Sequence, residues 1–138
     1  MIVMPRVLLV AVALYFSSFV LTTHGQATAK RGGNPEAAKV QNPVVSNPES
    51  VAQGKRTYQR MCSRCHGAQA KGDGSGSGGA QPPDLTDDTW DYGSSDGEIF
   101  AAIHDGTSSD MEGYAGRLSD TDIWNLVNYL RSIGTAKK

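Results

Sequence analysis

Between residues 47 and 134 the apolar positions recur at helical spacing in three runs, and each run carries its own start signal. The first opens at Asn47, an N-cap, with Pro48 at the first helical position, where a missing N–H costs nothing. Val51, Gly54, Tyr58, Met61 or Cys62, and Cys65 then line one stripe, with Lys55, Arg56, Arg60 and Arg64 opposite. The second pairs Ser95 with Glu98 in capping-box spacing, buries Ile99, Phe100 and Ile103, and stops at Gly106. The third pairs Ser119 with Asp122 in the same way, runs through Ile123, Trp124, Leu126, Val127, Tyr129 and Leu130, and ends at Gly134. No stretch alternates with the two-residue period of a strand, so the predicted fold class is all-α.

Outside these runs the pattern changes. Residues 7–21 are an apolar run preceded by Arg6 and followed by a polar stretch in which Gly25 and Ala27 supply small residues, as in a secretory signal with cleavage after Ala27. Residues 1–27 are therefore expected to be a signal peptide, the alternative being an uncleaved anchor over residues 2–21. Residues 28–47 carry Pro35 and Pro43 among Gly, Asn and Ala and read as a flexible linker. That leaves a domain over residues 48–135, small enough that a bound cofactor or metal is expected to complete its core.

The glycine-rich stretch between the first two helices contains Gly74, Gly76 and Gly79 in GxGxxG spacing. No strand precedes it and no helix starts there, so it fails as a dinucleotide site. Its Asp73, Ser75, Ser77 and Asp84 echo a calcium loop, but serines stand where carboxylates or amides are needed. It reads as a flexible surface loop.

The only two cysteines of the chain lie in CSRCH, residues 62–66. A disulfide-exchange site would sit at the start of a helix after a strand, and this pair closes a helical stripe instead. A structural zinc site needs four ligands, whereas Cys62, Cys65 and His66 offer three, so His104 would have to be recruited. The remaining use is covalent haem: both thiols add across the vinyl groups, and the adjacent histidine is held under the iron. For the opposite face, Met1 and Met4 belong to the leader and Met61 abuts the attachment helix. Met111 is the favoured sixth ligand, with His104 or an open site as alternatives.

With these residues in place, the chain from Asn47 onward resembles a class I, small monohaem, bacterial-type cytochrome c. Gly54 and Tyr58 precede CSRCH where that family keeps a small residue and an aromatic, and Leu126 and Tyr129 match the positions on the last helix that pack against them. The resemblance implies a cytochrome c fold, with about three main helices and long loops wrapped around one covalent haem c. It implies that PPDLT, residues 82–86, brings a proline carbonyl, assigned to Pro83, to the Nδ1 of His66. Leu85 and Trp90 join Tyr58, Ile103 and Leu130 in the haem shell, and Trp90 and Arg117 are candidate donors to the propionates. Met111, ahead of the aromatic Tyr114, stands where the family places its distal ligand, although Glu112 follows it where many relatives have proline.

Bulk composition is mild, with 38% apolar and 20% charged residues and a net charge of −1, and no nucleic acid partner is expected. The charge is nevertheless uneven. Lys55, Arg56, Arg60, Arg64 and Lys71 form a basic cluster near CSRCH, while residues 73–122 hold twelve acids against Arg117 alone. An acidic-rimmed redox partner is expected at that basic face. The resemblance thus implies a single-electron carrier and not an enzyme, with His66 and Met111 as iron ligands, exported to the periplasm or anchored facing it. The alternatives are a haem enzyme or ligand-binding sensor with an open sixth site, or the cytochrome module of a periplasmic dehydrogenase complex.

Overall fold

The computed structural model describes residues 29–134, and within them five helices follow in order: α1 (Pro35–Ala38), α2 (Pro48–Met61), α3 (Ser63–His66), α4 (Asp96–Asp105) and α5 (Asp120–Ile133). The expected leader over residues 1–27, like Thr135 at the far boundary, lies outside the described residues. The capping signals hold at all three long helices. Asn47, Ser95 and Ser119 each accept from the backbone N–H three residues on, and Ser50, Glu98 and Asp122 reach back to the cap N–H, closing three capping boxes. Among the described residues no strand forms; the one bridge joins Gly106 and Glu112.

The core is organised by α2 crossing α5. Gly54 makes the approach possible, because a Cβ there would stand 2.0 Å from the Asn125 carbonyl oxygen and 2.8 Å from Tyr129 Cβ. One turn on, the Tyr58 and Tyr129 rings meet at 5.3 Å and 50°. Ile123, Leu126 and Val127 are buried behind them. α4 packs on α5 through Phe100 and Trp124, stacked at 4.1 Å, and through Arg131, whose Nε donates to Asp96 at 2.8 Å.

Two sequence expectations change. Residues 29–47 are not an open tether, since Asn34 and Asn42 hydrogen-bond to the domain. Asn34 caps α1, and its own N–H donates to Glu98 at 2.8 Å. Asn42 donates to the Trp124 carbonyl and to Asn128, which in turn donates to the Val44 carbonyl and to Ser50. Ala37 is buried, and a Cβ on Gly97 would strike its carbonyl at 2.0 Å. The glycine-rich stretch is likewise open only at its tip, where nothing lies within 4 Å of Gly78 or Gly79. Ahead of that tip, from Gly72 to Gly76, it is folded onto α3.

Candidate functional site

α2 stops at Met61 because Cys62, at φ −116° and ψ −36°, turns the chain out of the helical line. The N–H groups of Cys65 and His66 both return to the Cys62 carbonyl, at 3.1 and 3.0 Å, and α3 is the single turn that results. Gly67 ends it at φ +81°, a backbone conformation open to glycine, and a Cβ there would lie 1.8 Å from Asp73 Oδ1. The Tyr58 hydroxyl donates to the Gly67 carbonyl at 2.7 Å, tying the end of this turn to the α2–α5 crossing.

The last carbonyls of a helix have no partner within it. Here alternate glycines supply them. The N–H groups of Gly72, Gly74 and Gly76 donate to the carbonyls of His66, Cys65 and Arg64 at 2.9, 3.2 and 2.8 Å, running antiparallel to the turn. Only a backbone without side chains can lie this close: a Cβ on Gly74 would sit 2.4 Å from the carbonyl oxygens of Arg64 and Cys65. The two-residue spacing of these glycines was the available sequence signal, and its meaning is close approach and not flexibility.

Cys62 and Cys65 are half-buried, unpaired thiols three residues apart. Burial first, and the neighbouring Cys65 second, push the Cys62 thiol up to about 12. A disulfide-exchange cysteine has the opposite shift to that of Cys62. His66 is 8% exposed, and burial holds its imidazole below the ordinary range and therefore neutral, against an upward pull from the Pro83 carbonyl. That carbonyl is near enough to act on the ring but does not complete a hydrogen bond of normal geometry with Nδ1. Among the described residues no cluster of three or more His, Cys, Asp or Glu side chains is placed to hold a metal ion.

The remaining candidates gather around the same core. Leu85, Trp90, Met111, Tyr114 and Cys62 are partly buried against the cluster that contains Ile103 and Leu130. Pro83 is at the surface of its loop, which Lys71 braces through Asp84 at 3.2 Å and through Thr86. Leu85 itself is fixed by its N–H bond to the Ala70 carbonyl at 2.8 Å. Met111 lies in a tight turn, with Thr107 N–H donating to its carbonyl at 2.9 Å and its own N–H donating to the Ser108 carbonyl at 3.2 Å.

His104 is committed elsewhere. It is buried, with Nδ1 2.6 Å from Asp105, Nε2 3.7 Å from Asp120 and its ring stacked 5.3 Å from Phe100. Arg117 is exposed and lies over the Tyr114 ring at 4.1 Å, donating to the Gly113 carbonyl. The basic residues Lys55, Arg56, Arg60 and Arg64 are all exposed along α2 and α3.

This arrangement fits a covalently held haem. Four buried side-chain polar atoms have no partner among the described residues, and two of them are His66 Nδ1 and Trp90 Nε1. At Trp90 Nε1 a buried donor without a partner is costly, and a cofactor with acceptor groups, seated beside a neutral imidazole, two thiols and an apolar shell, answers for it, while His66 Nδ1 faces the Pro83 carbonyl.

The comparisons with known proteins agree with that chemistry. Residues 49–130 match the family described as cytochrome c oxidase, cbb3-type, subunit III. The chain is 34% identical over 87 residues to the cbb3-type cytochrome c oxidase subunit FixP of Bradyrhizobium, covering 63% of this chain and 29% of that protein. It is 32% identical over 93 residues to a thiosulfate dehydrogenase of Stutzerimonas stutzeri, covering 65% and 30%. It thus spans under a third of the length of these two relatives. Among solved structures, cytochrome cL of Methylophaga aminisulfidivorans shares the fold at TM-score 0.58 and 24% identity, over 76% of this chain and 61% of that one. Cytochrome cL of Hyphomicrobium denitrificans is similar at TM-score 0.55 and 25% identity, over 63% and 49%. With its paired thiols, buried imidazole and all-helical fold, the chain belongs to the cbb3-type subunit III family of c-type cytochromes, whose cofactor is covalently bound haem c.

Proposed function

We propose that this domain carries single electrons on a haem c attached through Cys62 and Cys65, with the iron held between His66 and Met111. The observation that carries the reading is the pair of unpaired, half-buried thiols one helical turn apart, with a buried neutral imidazole directly after them. When bound, haem c supplies a one-electron ferric–ferrous couple. His66 offers Nε2 because burial keeps its ring neutral, and the Pro83 carbonyl orients the ring from the Nδ1 side. Met111 offers a thioether from a turn held by its own backbone bonds. Leu85 and Trp90 exclude water, and Trp90 Nε1 is free to donate to a propionate. Thioether ligation and an apolar shell both favour the ferrous state and raise the reduction potential.

The domain passes electrons to or from other redox proteins and is not itself an enzyme. Export to the periplasm, free or anchored, is supported by the apolar run at residues 7–21. No helix among the described residues is long and apolar enough to cross a membrane. The thiosulfate dehydrogenase relative favours a second reading, in which the same chemistry serves as the electron-carrying module of a dehydrogenase. The test is an optical spectrum of the exported protein in both redox states, with its mass. The expected result is one covalent haem and a far-red sulfur-to-iron band that disappears in Met111→Ala. A colourless protein with the mass of its polypeptide alone refutes the reading, and high-spin iron that takes up cyanide or carbon monoxide at once refutes the Met111 assignment.

A further inference from the structure

The turn that carries the thiols and the loop that carries Met111 are far apart in sequence, and one side chain joins them directly. The Tyr114 hydroxyl donates to the Met61 carbonyl at 3.1 Å, across 53 positions of sequence. Met61 is the last residue of α2 and the neighbour of Cys62. Its carbonyl would ordinarily receive the N–H of Cys65, but the break at Cys62 diverts that N–H to the Cys62 carbonyl. The turn that creates the attachment site therefore leaves one acceptor open, and Tyr114 fills it.

Tyr114 is also the best-anchored point of the loop. Its N–H donates to the Ile103 carbonyl at 3.0 Å, and its carbonyl receives the N–H groups of Arg117 and Leu118 at 2.8 and 2.9 Å. The Arg117 guanidinium covers the outer face of its ring, while the ring packs against the core. Burial, with a smaller effect from Cys62, raises the hydroxyl above its ordinary range, so it remains a protonated donor.

We infer that Tyr114 is a positioning residue for the Met111 sulfur, its hydroxyl fastening the loop that carries the thioether to the turn that carries the haem thiols. The inference rests on Met111 being the second axial ligand. The Tyr114 to Met61 bond resists any displacement of Met111 that carries this loop outward. Removing the hydroxyl makes displacement easier by the net worth of one hydrogen bond, roughly a fivefold change in an equilibrium constant.

The experiment uses the haem-loaded full chain and imidazole as the probe ligand. Tyr114→Phe keeps the ring and its packing, and is expected to bind imidazole to the ferric protein about fivefold more tightly, with a weaker far-red sulfur-to-iron band. In a Met111→Ala background, where there is no thioether to hold, Tyr114→Phe is expected to leave imidazole affinity unchanged. Unaltered affinity and band in the single variant overturn the inference. So does an equal fivefold change in the Met111→Ala background, which would mean that the hydroxyl shapes the pocket and not the ligand. If the parent protein lacks the band and Met111→Ala binds imidazole no better, the axial assignment itself fails and this inference with it.

Discussion

A single methyl group separates the outcomes at three glycines. At Gly54 the gain in helix propensity from alanine is about 1 kcal/mol, but the new Cβ would meet the Asn125 backbone at 2.0 Å. Neither helix can retreat without opening the Tyr58–Tyr129 contact, so overpacking wins and Gly54→Ala is expected to destabilise by about 1–3 kcal/mol net. Gly74→Ala meets the Arg64 and Cys65 carbonyls at 2.4 Å and lifts the glycine run off the attachment turn, with a loss of similar size, about 1–3 kcal/mol. Gly116 has nothing within 4 Å, and alanine there is expected to be neutral, within about 0.5 kcal/mol. Denaturant midpoints of the three haem-loaded variants check the order. A Gly74→Ala protein as stable as Gly116→Ala would show that the glycines do not grip the turn.

At the scale of elements, α4 and the N-terminal stretch meet at Glu98, whose carboxylate lies in a notch between Gly33 and Gly93. Burial alone would push this carboxyl up, but the Ser95 N–H and hydroxyl together with the Asn34 and Ser94 N–H groups outweigh it and hold it below the usual range. The folded state therefore binds fewer protons than the unfolded one. The stability this group contributes is complete above the ordinary carboxylate range and is lost as pH falls through it toward the depressed folded value. Glu98→Gln is expected to cost about 1.5–3 kcal/mol at pH 7 and to flatten the acid side of the stability profile, as urea titrations at neutral and acid pH would record. Parallel profiles for parent and variant would refute the clamp.

The same elements show what was legible. The three long helices were readable because their caps are local: Asn47, Ser95 and Ser119 each act within four residues. Cys62, Cys65 and His66 stand out in the sequence because their spacing is the one that haem attachment would demand. The break between α2 and α3 was not, since the apolar stripe runs unbroken through Cys62. Residues 34–44 look like a tether in composition because asparagine and proline are usual in solvated chain, and only the fold reveals that Asn34 and Asn42 bond to α4 and α5. Glycine carries the same ambiguity between freedom and close approach. The Tyr114 hydroxyl had no signal at all, because its acceptor is a backbone carbonyl that any residue at position 61 would present.

For the whole molecule, the net charge of −1 is too small to steer anything by itself, so a strong salt dependence of electron transfer has to come from how charge is distributed. Lys55, Arg56, Arg60 and Arg64 stand exposed, and no acid lies between residues 50 and 72 to offset them. Residues 73–122 hold twelve acids against Arg117 alone. If electrons leave beside α2, an anionic oxidant is drawn to the exit and a cationic one is repelled, each over a range that shrinks to about 10 Å at 0.1 M salt. Oxidation of the ferrous protein by hexacyanoferrate(III) is then expected to slow with added salt, and oxidation by hexaammineruthenium(III) to quicken. Replacing Arg60 and Arg64 together by Gln should shrink both slopes while leaving the optical spectrum unchanged, because neither side chain enters the core. Slopes of the reverse sign would place the exit on the acidic side instead, and with it the demand for a partner bearing a basic rim.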